Sequence, residues 1–429
     1  MKERIKKLLK SNSFLYKLYV DVFYYAEYFI HRYIITKRIK SFYLNEKVDF
    51  VKLPVKNNSF FGYYNISPFN NDSGLLWCET SENRTRGGEY SSVDIIYYNV
   101  LTDDKQVVTK TTAWNWQQGC MLQWFADSDH KIIYNKYDET RNEYYSEIFD
   151  LQSNKRKSIC KPIYSVTRDG SFALTLNFDR NTIMRPSYGY FRKQIIDLPS
   201  DSNDGIWFID IEKNTSRLII SLDNLKNFEH DPTMVGAKHK VSHIDIAPDG
   251  KRFMFLHRWV GPEGRFHRLF TANCKDGRGL FLLAGNELVS HNCWMADSSN
   301  IISFSRLNSL DRYYRYTDKK GFVETIGFRP NNDFLEDGHP SVSPDGRWML
   351  TDDYPDKSKF SHLYLYDLIN KKRFIVGVFH QPFKYQGENR IDLHPKWSRD
   401  GKYVSVDSGH RGKREFYVID IRELIKKED

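Results

Sequence analysis

The chain is poor in cysteine, with five in 429 residues and no pair spaced as CxxC. An odd and scattered set does not form a disulfide framework, and without the CxxC spacing a common zinc and redox motif is missing. We therefore expect a reducing compartment. No small-residue cleavage site follows a clean apolar stretch, so no secretory signal is indicated and the predicted location is the cytoplasm.

Most of the chain carries no excess of positive charge. Residues 1–40 contain ten basic and three acidic residues and so carry +7 of the formal net charge of +9. The remaining residues are almost neutral, whereas a nucleic-acid-binding domain normally has a basic surface. No nucleic-acid partner is therefore expected.

Long uninterrupted hydrophobic runs are also missing. The aromatic and aliphatic stretch at residues 14–35 is broken by side chains that are costly in hydrocarbon, namely Lys17, Asp21, Glu27 and Arg32. Its apolar residues recur at intervals of three and four, as on one face of a helix, at Leu15, Leu18, Val22, Tyr25 and Phe29. Residues 1–45 are therefore predicted to be a basic, aromatic, amphipathic α-helical extension. Two roles stay open: peripheral contact of residues 1–40 with an anionic inner membrane, or packing against the protein's own body or a partner.

Aromatic residues are abundant, at 15% of the chain, which favours strands. Seven turns recur at intervals of 40–57 residues, with one gap of 80, and each precedes an apolar run. They are Asp72-Ser73, Asp129-His130, Asp169-Gly170, Asp249-Gly250, Asp297-Ser298, Asp345-Gly346 and Asp400-Gly401. Units of this length are typical of four-stranded propeller blades. We predict an all-β fold, a seven-bladed β-propeller over residues 55–429, with a long loop around Pro186 to Asp204. The alternative is a pair of β-sandwiches.

Four successive units place a histidine six residues before the turn aspartate, at His243, His291, His339 and His394. Equivalent positions in successive blades lie at one level around the propeller axis, so these imidazoles are predicted to converge at one end of the channel. Imidazole is a frequent transition-metal ligand, and Asp392, on the same side of an extended strand as His394, adds a carboxylate. The pattern predicts a divalent metal site; hydrogen bonding between blades, without metal, is the alternative.

Three further sets of residues are candidates for binding an acidic saccharide. Arg180, Arg185, Tyr188 and Tyr190 lie in the long gap; arginine pairs with carboxylates, and tyrosine stacks on a sugar or moves a proton. A solvated surface is the alternative there. Arg258 is another candidate anion contact. Trp114 and Trp116 offer stacking faces, although core packing is the usual role of tryptophan.

The histidine-bearing segments resemble a known family. Residues 242–250, 290–294, 338–346 and 392–397 are similar to oligogalacturonate lyases, and also to ulvan-type polysaccharide lyases and TolB-like propellers. Residues 61–68 and 185–190 resemble the ulvan-type branch. The resemblance implies a seven-bladed propeller in which a divalent, manganese-like ion is held by His291 and His394. It further implies that His243 is the base, and Asp392 falls where the family has another histidine ligand. The family's glutamine ligand has no obvious counterpart, and Glu388 is the nearest substitute.

Two functional hypotheses follow. In the first, the protein is a polysaccharide lyase acting on uronate oligosaccharides by metal-assisted β-elimination, with a Mn or Zn ion on His291, His394, Asp392 and His339. His243 is then the base, Arg185 or Arg258 neutralises charge, and Tyr188 assists proton transfer. In the second, a non-catalytic propeller binds a glycan or a partner protein during surface-polysaccharide synthesis, docked at the membrane by its N-terminal helix.

Overall fold

The computed structural model describes residues 22–83, 91–193, 195, 197–285, 288–327 and 336–426. These residues form seven antiparallel sheets, one after another along the chain, and the sheets make a seven-bladed β-propeller. Each of the seven turn aspartates directly precedes the second strand of a blade. The repeat in the sequence is therefore the repeat of the fold, and the propeller prediction is confirmed.

Blades 1 to 3 come from the first half of the chain, and in each the chain runs from the inner strand to the outer strand. Blade 1 contains Asn58–Phe60, Gly74–Thr80, Val93–Asn99 and Asp104–Thr111. Blade 2 contains Gln123–Trp124, Lys131–Asp138, Glu143–Asp150 and Arg156–Ile159. Blade 3 contains Ser165–Val166, Phe172–Thr175, Gly205–Asp210 and Thr215–Ser221. The second strand of each blade is rich in buried apolar residues because it packs between neighbouring sheets.

Blades 4 to 7 follow the same order. Blade 4 contains Lys238–Ile246, Arg252–Gly261, Gly264–Asn273 and Phe281–Gly285, and blade 5 contains Val289–Trp294, Asn300–Leu307, Leu310–Thr317 and Gly321–Ile326. Blade 6 contains Ser341–Val342, Trp348–Asp352, Phe360–Asp367 and Lys372–His380. Blade 7 takes Lys396–Trp397, Tyr403–Ser408 and Glu415–Asp420 from the end of the chain.

The ring is closed by the N-terminal segment. Strand Asp49–Val51 pairs with Glu415–Asp420 and supplies the outer strand of blade 7. Strand Phe42–Leu44 pairs with Lys372–His380 and adds a fifth strand to blade 6. Two strands from before residue 55 therefore belong to the propeller, and the extension ahead of them is shorter than the sequence indicated.

An N-terminal helix precedes these strands. Residues 22–29 are α-helical and continue as the π-helical turns Ile30–Ile35. The earlier part of the predicted extension, residues 1–21, lies outside the described residues. Within the described parts of the chain, no helix combines the length and the apolar composition that crossing a bilayer requires.

The remaining helices are short. Blade 3 carries an insertion between its second and third strands, within the long gap of the repeat. That insertion holds the α-helix Phe178–Met184 and the 3₁₀ turns Pro186–Tyr188 and Asp201–Asn203. Elsewhere, α-helical turns form at Leu222–Asn227 and Arg422–Ile425, and 3₁₀ turns form at Pro232–Met234 and Gly387–Asn389.

Residues 61–68 leave blade 1 and cross the central channel; we call this segment the channel plug. It lies between the inner strand Asn58–Phe60 and an isolated bridge from Phe69 to Leu75. The Tyr64 hydroxyl donates to the Asn292 carbonyl oxygen at 2.8 Å, and the Ser67 hydroxyl donates to the Trp397 carbonyl oxygen at 2.8 Å.

The start of the plug depends on Gly62. This residue has φ 109°, and a Cβ there would lie 2.6 Å from the Gln118 carbonyl carbon. Only glycine allows both the backbone angle and the close approach. The plug thereby brings residues of blade 1 into contact with blades 5 and 7.

Candidate functional site

Four histidines from blades 4 to 7 lie side by side around the channel and form what we call the histidine ring. Adjacent ring centroids are 5.7 Å apart for His243 and His291, 4.2 Å for His291 and His339, and 4.3 Å for His339 and His394. All four side chains are buried. The structure thus brings together the histidines that the repeat placed in register.

The backbone at two of these histidines has an unusual conformation. His243 has φ 56° and His394 has φ 44°, in the left-handed region that non-glycine residues seldom adopt. The pairing of the inner strand with its neighbour is interrupted around His243 and His291. Such strain persists only where the surroundings enforce it, and it is frequent at functional sites.

Carboxylates behind the ring fix two of the imidazoles. His339 Nδ1 lies 2.9 Å from Asp352 Oδ1, and Asp352 also accepts the backbone N–H groups of His339 at 2.7 Å and His394 at 3.2 Å. His291 Nδ1 lies 3.3 Å from Asp337 Oδ1. A histidine that donates from Nδ1 to a carboxylate presents Nε2 as its free acceptor, which is the usual arrangement of a metal ligand.

Several donor atoms in the ring lack a partner. Among the described residues, His339 Nε2, His394 Nε2 and both ring nitrogens of His243 are buried without a hydrogen bond. Buried polar atoms normally have partners, so these nitrogens are suited to something that the polypeptide does not supply.

The donor set fits a divalent ion. One ligand atom each from His339, Asp392 and His394 lies within 4.8 Å of the others, and all three residues are buried. Imidazole nitrogen and carboxylate oxygen are ligands of Zn and Mn. Asp392 is also ion-paired, with Oδ2 at 2.8 Å from Arg390 Nε.

The histidines differ in their protonation. Burial lowers the pKa of His339, but the Asp352 and Asp392 carboxylates outweigh it and raise that pKa to about 8. Burial, together with the neighbouring His339, lowers the pKa of His291 to about 4. Burial also holds the pKa values of His243 and His394 well below the ordinary value, with Arg258 adding to the effect at His243. The lowered pKa favours the neutral form of His243, which is the form in which an imidazole can act as a base.

A cleft of ≈ 940 Å³ opens beside the ring, and we call it the basic cleft. Its lining includes His291, Tyr354 and six basic side chains, Arg185, Lys238, Lys240, Arg258, Arg265 and Arg390; Glu388 is the acidic residue of the lining. Burial lowers the pKa of Lys240 well below the ordinary value, and the nearby Arg258 and Arg185 lower it further. This concentration of positive charge favours an anionic ligand.

Tyr188 lies between the cleft and the ring. Its side chain is buried, its ring centroid is 6.0 Å from that of His243, and the Arg185 guanidinium lies 5.0 Å from the Tyr188 ring. Burial alone would raise the pKa of Tyr188, but Arg185 and Arg390 lower it below the ordinary value. Tyr188, Arg185, Arg258 and His243 thus form a continuous group with the histidine ring.

Four other candidates lie away from the cleft lining. Trp114 and Trp116 are buried and pack on Phe60, and Trp114 is 0% exposed. A ring without an exposed face cannot stack on a sugar, so the structure gives these tryptophans the core role that was the alternative.

Arg180 and Tyr190 are structural as well. Arg180 Nε lies 2.6 Å from Asp204 Oδ2 in a buried ion pair. Tyr190 is fully buried, stacked on Phe178 with centroids 4.6 Å apart, and Asn135 Nδ2 donates to its hydroxyl. Both residues anchor the blade 3 insertion, and neither offers its polar group to a ligand.

Sequence reasoning did not single out several residues that belong to this site. Tyr63 and Tyr64 come from the channel plug, and their rings lie against the histidine ring, with Tyr64 5.3 Å from His339. Asp352 ends a strand, and Lys240 precedes His243 by three residues. Arg390 could have been found, because it stands two residues before Asp392 and an extended strand places both on one side.

Comparison with solved structures identifies the fold. An oligogalacturonate lyase from Vibrio parahaemolyticus superposes with a TM-score of 0.60 at 15% identity, covering 90% of this chain and 97% of that one. An oligogalacturonate lyase in complex with manganese gives 0.54 at 14% identity, covering 85% and 90%. TolB from Acinetobacter baumannii gives 0.39 at 15% identity, covering 81% and 80%.

No protein-family model matches the chain, and no curated protein matches its sequence. The chain thus has the propeller fold seen in oligogalacturonate lyases, and the resemblance to that family noted in the sequence is confirmed at the level of the fold.

Proposed function

We propose that this protein is a polysaccharide lyase that acts on uronate-containing oligosaccharides by metal-assisted β-elimination. One observation carries the proposal: imidazole nitrogens without partners lie in a histidine ring beside a strongly cationic cleft. The likeness to oligogalacturonate lyases supports a lyase-like propeller. The positive charge of the cleft supports this substrate class, because every sugar unit of a uronate oligosaccharide carries a carboxylate.

The proposed reaction needs three actions from the chain. Arg258 and Arg185 neutralise the substrate carboxylate, so that negative charge is tolerated on the neighbouring carbon. Neutral His243 removes the proton from that carbon, and the electron pair forms a double bond as the bond to the leaving oxygen breaks. Tyr188 supplies a proton to that oxygen, and its lowered pKa makes the transfer easier.

The metal has a limited part in this proposal. His339, His394 and Asp392 would hold a Mn or Zn ion, with His291 close by. Such an ion would act as a Lewis acid that stabilises negative charge on the substrate carboxylate. Asp352 keeps His339 in the orientation that leaves Nε2 available.

One contact favours the second hypothesis, a propeller that binds glycan without catalysis. Asp392 is already neutralised by Arg390 at 2.8 Å, so a metal ion has to compete for this carboxylate. In that case the basic cleft binds an acidic glycan, and the histidines serve as polar packing around it.

Two measurements on one set of proteins separate these functions. Elemental analysis after incubation with manganese or zinc should give about one equivalent in the wild type and none in a His339→Ala/His394→Ala variant. His130→Ala, in a half-exposed histidine outside the ring, is the matched control and should bind as the wild type does. Oligogalacturonate should then yield an unsaturated product that absorbs in the ultraviolet, and His243→Ala should abolish it.

Other outcomes would overturn the proposal in stages. Metal uptake unchanged in the double variant would remove the ring as the metal site. An unsaturated product made at the wild-type rate by His243→Ala would remove that histidine as the base. Oligouronate binding without turnover, and without metal, would establish the non-catalytic alternative.

A further inference from the structure

The N-terminal helix exposes an apolar surface that the propeller does not cover. Among its exposed large hydrophobic side chains, five that are 41–61% exposed are Val22, Phe29, Ile30, Tyr33 and Ile34. On a helical projection these five residues, together with Ala26, fall on one side, which we call the outer helix face. That face contains no charged residue over its described length. Exposed apolar patches of this kind usually mark an interaction site.

Other side chains of the helix hold it on the propeller. Arg32 is buried and its Nη1 lies 2.8 Å from His380 Nε2, while Tyr28 packs on Phe383 with centroids 4.6 Å apart. Lys357 Nζ lies 2.8 Å from Glu27 Oε1. These contacts fix the rotation of the helix, so the outer helix face points away from blade 6 and the exposure is built into the fold.

Charge indicates what covers this surface. The first 40 residues carry +7 in total, and the described stretch after the helix includes the exposed Lys37 and Lys40. A second copy of the chain across a two-fold axis would bring two such basic segments together, which repulsion disfavours. An apolar face with Phe, Tyr and Ile beside a basic segment is instead typical of helices that lie in the surface of an anionic bilayer.

We infer that the outer helix face binds the surface of an anionic phospholipid bilayer, with the helix axis in the plane of the membrane. Apolar side chains enter the boundary between headgroups and acyl chains, and the basic segment is attracted to the lipid phosphates. This inference is independent of the proposed reaction, because it uses none of the residues of the ring or cleft.

The helix and the basic cleft share supporting loops. Phe383 and Lys357 contact the helix, and in the same two loops Gly387, Arg390 and Tyr354 line the cleft. Membrane binding through the outer helix face would therefore hold the cleft close to the bilayer.

The test uses the full-length chain and sedimentation with vesicles. One vesicle set is pure phosphatidylcholine, and the other is an equal mixture of phosphatidylcholine and phosphatidylglycerol. We expect the wild type to sediment with the anionic vesicles and to be released as salt is raised. A Phe29→Ser/Ile30→Ser/Ile34→Ser variant should bind the anionic vesicles about tenfold more weakly, because it lacks three apolar side chains that would enter the bilayer.

A matched control separates this site from general surface hydrophobicity. Leu101, Val235 and Ile369 are 79%, 70% and 71% exposed and lie on the propeller surface away from the helix. Their triple replacement by serine should leave vesicle binding unchanged. Both variants should keep the wild-type circular dichroism spectrum and metal uptake, so that failure here is distinct from failure of the proposed function.

Three results would overturn the inference. The wild type could remain in the supernatant with both vesicle sets. The two triple variants could bind equally well. The wild type could be a dimer in light scattering that becomes a monomer with the helix variant, which would make a second copy of the chain the occupant.

Discussion

Two parts of the propeller ring, blades 1 to 3 and blades 4 to 7, differ at the repeated position six residues before the turn aspartate. In blades 4 to 7 this position is His243, His291, His339 and His394, whereas in blades 1 to 3 it is Ile66, Gln123 and Ile163. The backbone hydrogen bonds of the following turn are the same type in both parts, as at Ala247 and Phe125. One architecture thus provides one part with a histidine at this position in every blade and another part with none.

The difference shows how a propeller acquires chemistry. The fold places equivalent positions of the blades at one height along the propeller axis. The residue types at those positions then determine which chemistry the site can carry out. Blades 1 to 3 contribute in another way: the channel plug of blade 1 crosses to blades 5 and 7 and supplies the tyrosines that pack on the histidines. Three experiments test this difference.

The largest effect is expected from removing the carboxylate behind the ring. Asp352→Ala leaves the buried His339 ring and two backbone N–H groups without their acceptor. We expect a loss of about 3–5 kcal/mol in the free energy of unfolding. It is measured by urea denaturation in the presence of a metal chelator. Asp345→Ala, at an exposed turn of the same blade, is the control and should lose about 1 kcal/mol. Equal losses in the two variants would contradict the prediction that the Asp352 carboxylate stabilises the histidine ring.

The next effect is sensitivity to acid, which should be confined to blades 4 to 7. Burial lowers the pKa of His380 and of His410 to about 4, and in blades 1 to 3 the sequence has one histidine, the half-exposed His130. A folded pKa below the unfolded one gives stability that is complete above pH 6.5 and is lost as pH falls toward 4. Each such histidine can account for about 3 kcal/mol.

Hydrogen exchange, corrected for intrinsic rates, measures this contrast blade by blade. Blades 4 to 7 should lose protection first as pH is lowered from 6.5 to 4. A His410→Gln variant should make the loss in blade 7 shallower, whereas His130→Gln should change nothing. Uniform loss around the ring would contradict the prediction.

The smallest effect distinguishes two adjacent tyrosines of the channel plug. The Tyr64 hydroxyl bonds both the carbonyl oxygen and the N–H of Asn292, at 2.8 and 3.0 Å. Among the described residues, the Tyr63 hydroxyl has no hydrogen-bond partner. Tyr64→Phe should lower the free energy of unfolding by about 1–2 kcal/mol, and Tyr63→Phe should leave it nearly unchanged in thermal melts. The reverse order would show that the plug is not held by this contact.

The fold was predictable because the signal repeats. Seven turns each followed by an apolar run identified the blades, and the spacing of four histidines from those turns was enough to bring them to one level. Local sequence carries this information, because each blade is one local unit of the chain.

The rest of the site depends on contacts that spacing does not encode. Asp352 reaches His394 across 42 residues, and the plug joins Tyr64 to Asn292 across 228. Trp114 was offered as a sugar-stacking residue but is fully buried. The sequence around a tryptophan does not show whether its ring faces a ligand or the core. Contacts between residues far apart in the sequence, which form when the ring closes, are visible only in the structure.

Closure of the ring also has a consequence for how the molecule is made. Asp49 pairs with Asp420, so blade 7 is completed only after nearly the whole chain is available. His394 and Asp392 stand immediately before the inner strand of that blade. Contacts between distant parts of a chain form late and slowly. We therefore expect the donor set to be assembled last during synthesis, after blades that carry none of it have already folded.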